Sequence, residues 1–349
     1  MTTVSRAGPN NRLAKEVTNS SSLVFVGTNA TPYIHMYDWN ENGFGALYPA
    51  PSVLPTGVVT SISVTPDQEY LVCAVSSETN RQQVYYRITN GGLVFVKGFT
   101  AADNVTRTAT ISKAGKHVAF SGISGSMRVY NLDKYAGIGT QLTGVATAVG
   151  RQCEFDNSGS RIAWARTTSP YVQVFNFSTS SGVQSAFANT PSGVGTTAGR
   201  ALRWTASDSH IVLLRSASSG NTLEAYPVNV GGGLGTRASS VAAVNGTSLS
   251  LSDASGIVGV TLTASPYVQV HPRSSGTLGV KLANPAELAG ATCNDGSITS
   301  DGNTFFAASN DANVVHAWPV SDEAFGVRYP FPISLPSGDG YSVMPLLRS

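Results

Sequence analysis

One ring-bearing position returns through this chain at an almost constant interval. Tyr37, Tyr86, Tyr130, Phe175, Tyr226, His271 and Trp318 are separated by 49, 44, 45, 51, 45 and 47 residues. Each lies in a run of strand formers: TPYIHMYDW (31–39), QVYYRI (83–88), MRVYNL (127–132), SPYVQVFNF (169–177), LEAYPV (223–228), SPYVQVHPR (265–273) and VVHAWPV (314–320). A strand-rich unit of this length cannot bury its own apolar faces and has to stack on its neighbours. Four strands and three short turns consume about 45 residues. Seven copies therefore predict an all-β, seven-bladed β-propeller with four-stranded antiparallel blades.

The rest of each copy fits that scheme. A second strand precedes the ring strand, as in HVAFSG (117–122), RIAWAR (161–166) and TFFAAS (304–309). Before it comes a first strand with a polar turn, as in SISVTPDQEY (61–70), CEFDNSGSR (153–161) and SITSDGNT (297–304), where Gly, Asn and Asp suit tight hairpins. A Gly-led fourth strand follows, as in GLVFVKG (92–98) and GIGTQL (137–142). The first copy lacks its initial strand, and DGYSVMPLLRS (339–349) is a strand-like tail without a copy of its own. The C-terminal strand is therefore expected to close blade one. The resulting division is an N-terminal arm over 1–21 and a propeller over 22–349. Its blades fall at approximately 22–57 plus 340–349, 58–103, 104–150, 151–195, 196–246, 247–290 and 291–339.

Composition narrows the function classes. Net charge is +2 from 22 basic and 20 acidic residues, with no basic run to neutralise phosphates, so nucleic acid is not an expected partner. No apolar run reaches the roughly 18 residues of a membrane span, and MTTVSRAGPNNRLAKEVTNSS lacks the apolar core of a signal peptide. Cys73, Cys153 and Cys293 are widely spaced and read as free cysteines inside strands. His35 and His316 precede the ring position by two residues, where other copies carry Val84, Arg128, Gln173, Glu224 and Gln269, a pattern that suggests hydrogen bonding between blades. No HxH, HExxH or GxSxG pattern occurs, so no catalytic residue, metal or cofactor is expected.

The candidate contact residues are accordingly few. Tyr33, Tyr171 and Tyr267 follow Pro in the turn before the ring strand and stand near one rim, either packed between blades or forming an aromatic platform. FGALYPAPSVLPTG (44–57) and FGVRYPFPISLPSG (325–338) place Tyr48-Pro49 and Tyr329-Pro330 at outer edges. There proline blocks sheet-to-sheet pairing, or the Tyr-Pro pairs form a docking patch. Arg6, Arg12 and Lys15 lie in the polar arm, which is expected to be disordered on its own.

The motifs SPYVQVF, TPYIHMYDW, FGxxYPxPxxLPxG and VTPDxxYL resemble propeller repeats of bacteriophage virion and prophage-encoded structural proteins, with the best matches in blades one, four, six and seven. The Gly-His and Trp-Asp marks of WD repeats are absent. The resemblance implies a non-enzymatic virion component, a tail, neck or capsid-surface (decoration) propeller made in the host cytoplasm. It would attach to other virion proteins through its N-terminal arm or its edge strands and take part in host attachment. A host-receptor or surface-glycan-binding module is the alternative. A sugar-lactone hydrolase, which also uses seven blades, comes last, because it needs a charged cluster at the channel mouth and only 12% of residues are charged.

Overall fold

The computed structural model describes residues 22–76, 82–100, 106–122, 126–145, 149–187, 191, 194–217, 220–243, 245–321, 323–332 and 338–346. The fold is an all-β propeller, and no helix is present among the described residues. Consecutive antiparallel strands form meanders, as in Val58–Val64, Tyr70–Ser76, Gln82–Thr89 and Gly92–Thr100. One eight-stranded sheet consists of two such meanders joined only through a parallel bridge between Thr143 and Gly182. The strand Gly340–Leu346 pairs antiparallel with Ser22–Thr28, which continues into Ile34–Asn40 and Gly43–Leu47, so the chain's last strand completes its first sheet.

The recurring ring position is the packing anchor. Tyr37, Tyr86, Tyr130, Phe175, Tyr226, His271 and Trp318 are all buried. They sit on the third strand of each meander, where apolar residues of both faces meet neighbouring sheets. Gln173, Glu224 and His316, two positions earlier, bond within their own sheets, not between blades as the sequence suggested. Arg166 donates to Gln173 at 2.6 Å, Arg215 to the buried Glu224 at 2.8 Å, and His316 meets Asp311 at 2.8 Å. Each pair spans adjacent antiparallel strands or their hairpin, so the distance favours a local partner. Cys73, Cys153 and Cys293 are free and buried.

In five copies the hairpin after the first strand is closed by one buried polar side chain. Thr65 accepts from the Tyr70 N–H, Ser112 from His117, Asp156 from Arg161, Thr205 from His210 and Thr299 from Thr304, at 3.0–3.2 Å. The opposite hairpin holds the SPY segments. Tyr33, Tyr171 and Tyr267 adopt the left-handed conformation at φ 66°, 63° and 65°, normally unfavourable for a side chain. In each, the Tyr N–H reaches back three residues and its carbonyl accepts from the strand before. A Cβ at Gly199 would come within 2.5 Å of the Tyr171 carbonyl oxygen, so the turn is seated directly against the next copy's first strand.

The first strands, Val58–Val64, Thr106–Ile111, Gly150–Phe155, Gly199–Trp204, Gly246–Ser252, Cys293–Ile298 and Gly340–Leu346, line one central channel. Side chains on one strand accept from backbone N–H groups of the next. Ser61 and Ser63 accept from Ala109 and Ile111, Gln152 and Glu154 from Leu202 and Trp204, Ser250 from Ile298, and Asp295 from Val343. Deleting Gly340–Leu346 removes one of the two ladders of Ser22–Thr28 and the Val343 N–H from Asp295. The expected result is loss of cooperative thermal unfolding and elution as aggregate on size exclusion. A truncated chain with the wild-type melting temperature contradicts this assignment.

Candidate functional site

Every channel-lining strand is irregular at the same place. Its register against the second strand slips by one residue, leaving Thr60, Arg107, Arg151, Arg200, Thr247, Asn294 and Tyr341 as the extra residue of a β-bulge. A bulge interrupts the strict alternation of side chains and re-aims the extra one. All seven residues line the channel, a cavity of about 900 Å³. They form a ring near the end of the strands that abuts the SPY turns.

Three consecutive members of this ring are arginines. Among the described residues, Arg107, Arg151 and Arg200 meet no carboxylate, and the Nε atoms of Arg151 and Arg200 are buried without a hydrogen-bond partner. Burial and the neighbouring Arg200 and Arg107 push the Arg151 guanidinium down to about 10. Burial likewise lowers Arg200, with Arg107 adding to the effect. Arg107 reaches channel water, yet desolvation still lowers it, opposed by Tyr341. Mutual repulsion in a partly dehydrated cavity is a standing cost. An anion placed between the three side chains removes it.

Two carboxylates of the first strands themselves, Glu154 and Asp295, lie further along the channel wall. Glu154 follows Arg151 by three residues on one strand, a separation of roughly 10 Å at strand rise. Its Oε2 accepts the Trp204 N–H at 2.9 Å, while its Oε1 stands 4.0 Å from Nε of Arg203. Burial raises the Glu154 carboxyl above its ordinary range, against the opposing pull of Arg203 and the Trp204 N–H. Asp295 accepts from Ser248 Oγ at 2.6 Å and from the Val343 N–H at 3.1 Å; burial raises it too. Ser63 and Ser250 make the same strand-to-strand bond as Glu154 with a single oxygen. Glu154 makes it and keeps a second oxygen for the channel.

The sequence-derived contact residues lie elsewhere. Tyr33 and Tyr267 are half-buried and pack against core clusters that include residues of the next copy, and Tyr171 is half-buried in its turn. Tyr329 packs edge-on against Trp39 at 5.0 Å and crowds Gly43 with Pro330, while Tyr48 donates to Asp38 at 2.7 Å and Pro49 approaches Gly92. Each Tyr-Pro pair thus crosses to the fourth strand of the next meander. Arg6, Arg12 and Lys15 lie outside the described residues. The arginine arc was missed because its members are 44 and 49 residues apart and form no local run. Aligning these copies on the polar hairpin residue, five positions after the bulge, superposes them: Arg107 with Ser112, Arg151 with Asp156, Arg200 with Thr205.

No protein-family model matches the sequence, and no curated protein sequence matches it. The fold has solved counterparts. A protein described as a candidate 6-phosphogluconolactonase from Bacteroides fragilis superposes with a TM-score of 0.77 at 15% identity, covering 94% of this chain and 99% of the other. The periplasmic gluconolactonase of Pseudomonas aeruginosa superposes at 0.76 and 15% identity, covering 95% and 100%. A candidate 6-phosphogluconolactonase from Bacteroides uniformis does so at 0.76 and 16%, covering 94% and 100%. At such identities the likeness establishes the fold.

The expectation of a non-enzymatic virion component, whether tail, decoration or host-attachment protein, is corrected here. These three near-full-length counterparts carry the names of lactonases and not of phage proteins. The charged channel whose absence had set the lactone hydrolase last is also present, built by bulges that no local motif announces. If the arginine arc binds anions, millimolar inorganic phosphate raises the wild-type melting temperature by mass action. Arg151→Met, relieved of repulsion, melts higher than wild type without phosphate and responds little to it. Equal phosphate responses in differential scanning fluorimetry contradict the site.

Proposed function

We propose that this chain is a sugar-lactone hydrolase that acts in the axial channel on a lactone bearing an anionic group. The eight-stranded sheet is counted as two blades, so the ring has seven. The observation that carries the reading is the arc of Arg107, Arg151 and Arg200, without a carboxylate partner among the described residues, on the same channel wall as Glu154. The names of the structural counterparts favour the same chemistry, and a phosphorylated sugar acid lactone fits the arc.

The chemistry follows from the placement. The arginines hold the anionic substituent, and the roughly 10 Å from Arg151 to Glu154 along the strand accommodates a hexose derivative. Glu154 Oε1 takes a proton from water while the water oxygen bonds to the lactone carbonyl carbon. Arg203, beside Glu154, stabilises the tetrahedral oxyanion. The bond from the carbonyl carbon to the ring oxygen then breaks. The departing oxygen takes the proton back from Glu154, leaving an open-chain hydroxy acid. A raised carboxyl brings the base closer to the pKa of its task than an exposed glutamate would be.

The raised pKa has a stability consequence of defined sign. A carboxyl whose folded pKa lies above its unfolded value binds more protons when folded, so stability falls as pH rises from the ordinary glutamate range through the raised value. Glu154→Gln removes that loss. The variant is expected to be more stable than wild type at neutral pH in urea titrations, and slower than wild type by about 10²–10⁴-fold in catalysed proton release from 6-phosphogluconolactone, measured above the spontaneous rate. A wild-type protein that accelerates neither this lactone nor gluconolactone overturns the proposal.

A further inference from the structure

Tyr341 is the one aromatic residue at the bulge register. It lies on Gly340–Leu346, which runs between Cys293–Ile298 and Val58–Val64 in the channel wall. Tyr341 is half-buried, and no hydrogen bond holds its hydroxyl among the described residues. Its backbone is fixed on three sides. The strand pairs with Ser22–Thr28, the Gly340 carbonyl accepts from Asn294 Nδ2 at 2.7 Å, and the Val343 N–H donates to Asp295. Thr60 is the bulge residue between Tyr341 and the arc, and Arg107 and Tyr341 are within electrostatic reach of each other.

A ring placed this way has no structural duty that the other bulge residues share. Thr60, Thr247 and Asn294 occupy the same backbone position with small polar side chains, so the bulge itself does not demand an aromatic. An aromatic face offers a broad apolar surface at small entropic cost. The faces of a pyranose ring present C–H groups that suit it, whereas a free anion gains nothing from it. The geometry points to Tyr341 as a specificity-determining residue that stacks on the sugar ring of an anionic carbohydrate whose charged group sits on Arg107, Arg151 and Arg200. This deepens the lactone-hydrolase reading and rests on it. The site then requires both a ring and a charge, and discriminates against simple anions by the contact that Tyr341 adds.

The test compares two inert probes, glucose 6-phosphate and inorganic phosphate, by isothermal titration calorimetry on the full chain. Tyr341→Ala is expected to weaken glucose 6-phosphate roughly tenfold, the scale of one well-formed aromatic contact, and to leave phosphate affinity unchanged. Tyr341→Phe is expected to bind both probes as wild type does, and Arg151→Met to weaken both. Equal loss of sugar-phosphate affinity in the Phe and Ala variants assigns the effect to the hydroxyl and overturns stacking. Unchanged affinities in Tyr341→Ala overturn the role of Tyr341 while the anion site stands. A wild-type protein that binds neither probe removes the anion site and this inference together. Circular dichroism melts of each variant separate loss of binding from loss of fold.

Discussion

The inner strand of a propeller blade has a free edge that no neighbouring strand can reach in ladder register. Its unpaired N–H groups face a polar cavity, and leaving them unmet costs on the order of 1–3 kcal/mol each. This chain meets the problem with side chains: Ser61, Ser63, Gln152, Glu154, Ser250 and Asp295 each accept an N–H from the following strand. The channel wall is therefore polar of necessity. Once a polar atom is required at each of these places, a residue with an oxygen to spare, as Glu154 has, turns a structural bond into a chemical resource.

The bulges supply the complementary part. A regular strand alternates faces, so a residue that accepts a neighbour's N–H and the residue beside it cannot both look into the channel. The extra residue at each bulge escapes that rule, and three of these places hold arginine. Repulsion within the arc and the raised carboxyl of Glu154 both count against the empty protein at neutral pH. Stability lost in a site of this kind is recovered when an anionic ligand arrives. The surrounding blades, with their fully buried ring residues, provide the margin that allows it.

The architecture was readable in the sequence because the third strand of each copy packs on both faces and tolerates only large side chains at one place. Tyr37 through Trp318 therefore keep a visible period. C-terminal closure was readable for a related reason, since one copy was a strand short and the tail DGYSVMPLLRS was left over. The chemistry was not readable in the same frame. Arg107, Arg151 and Arg200 come together only through the curvature of the ring, and a bulge reverses the face that alternation assigns to them. The SPY and Tyr-Pro motifs drew attention because they are well preserved between copies. The structure gives them a reason: the SPY turn rests against the next first strand at Gly199, and each Tyr-Pro pair crosses to the next meander. The virion reading arose from those same motifs, which report how blades are joined and say little about what the channel holds.

The contact between Asn29 and Asp339 joins residues 310 apart in sequence, and the strand Gly340–Leu346 comes with it. Contacts of such separation carry the closure entropy of the whole intervening chain. Until that strand docks, the arc of blades is open on one side, and the wall that carries Tyr341 is missing. The strand that completes the first sheet therefore also encloses the channel. A partly folded chain, with its cavity still flooded by water on one flank, presents its arginines to a medium in which a bound anion is worth little. Enclosure of the channel is in this sense inseparable from closure of the ring.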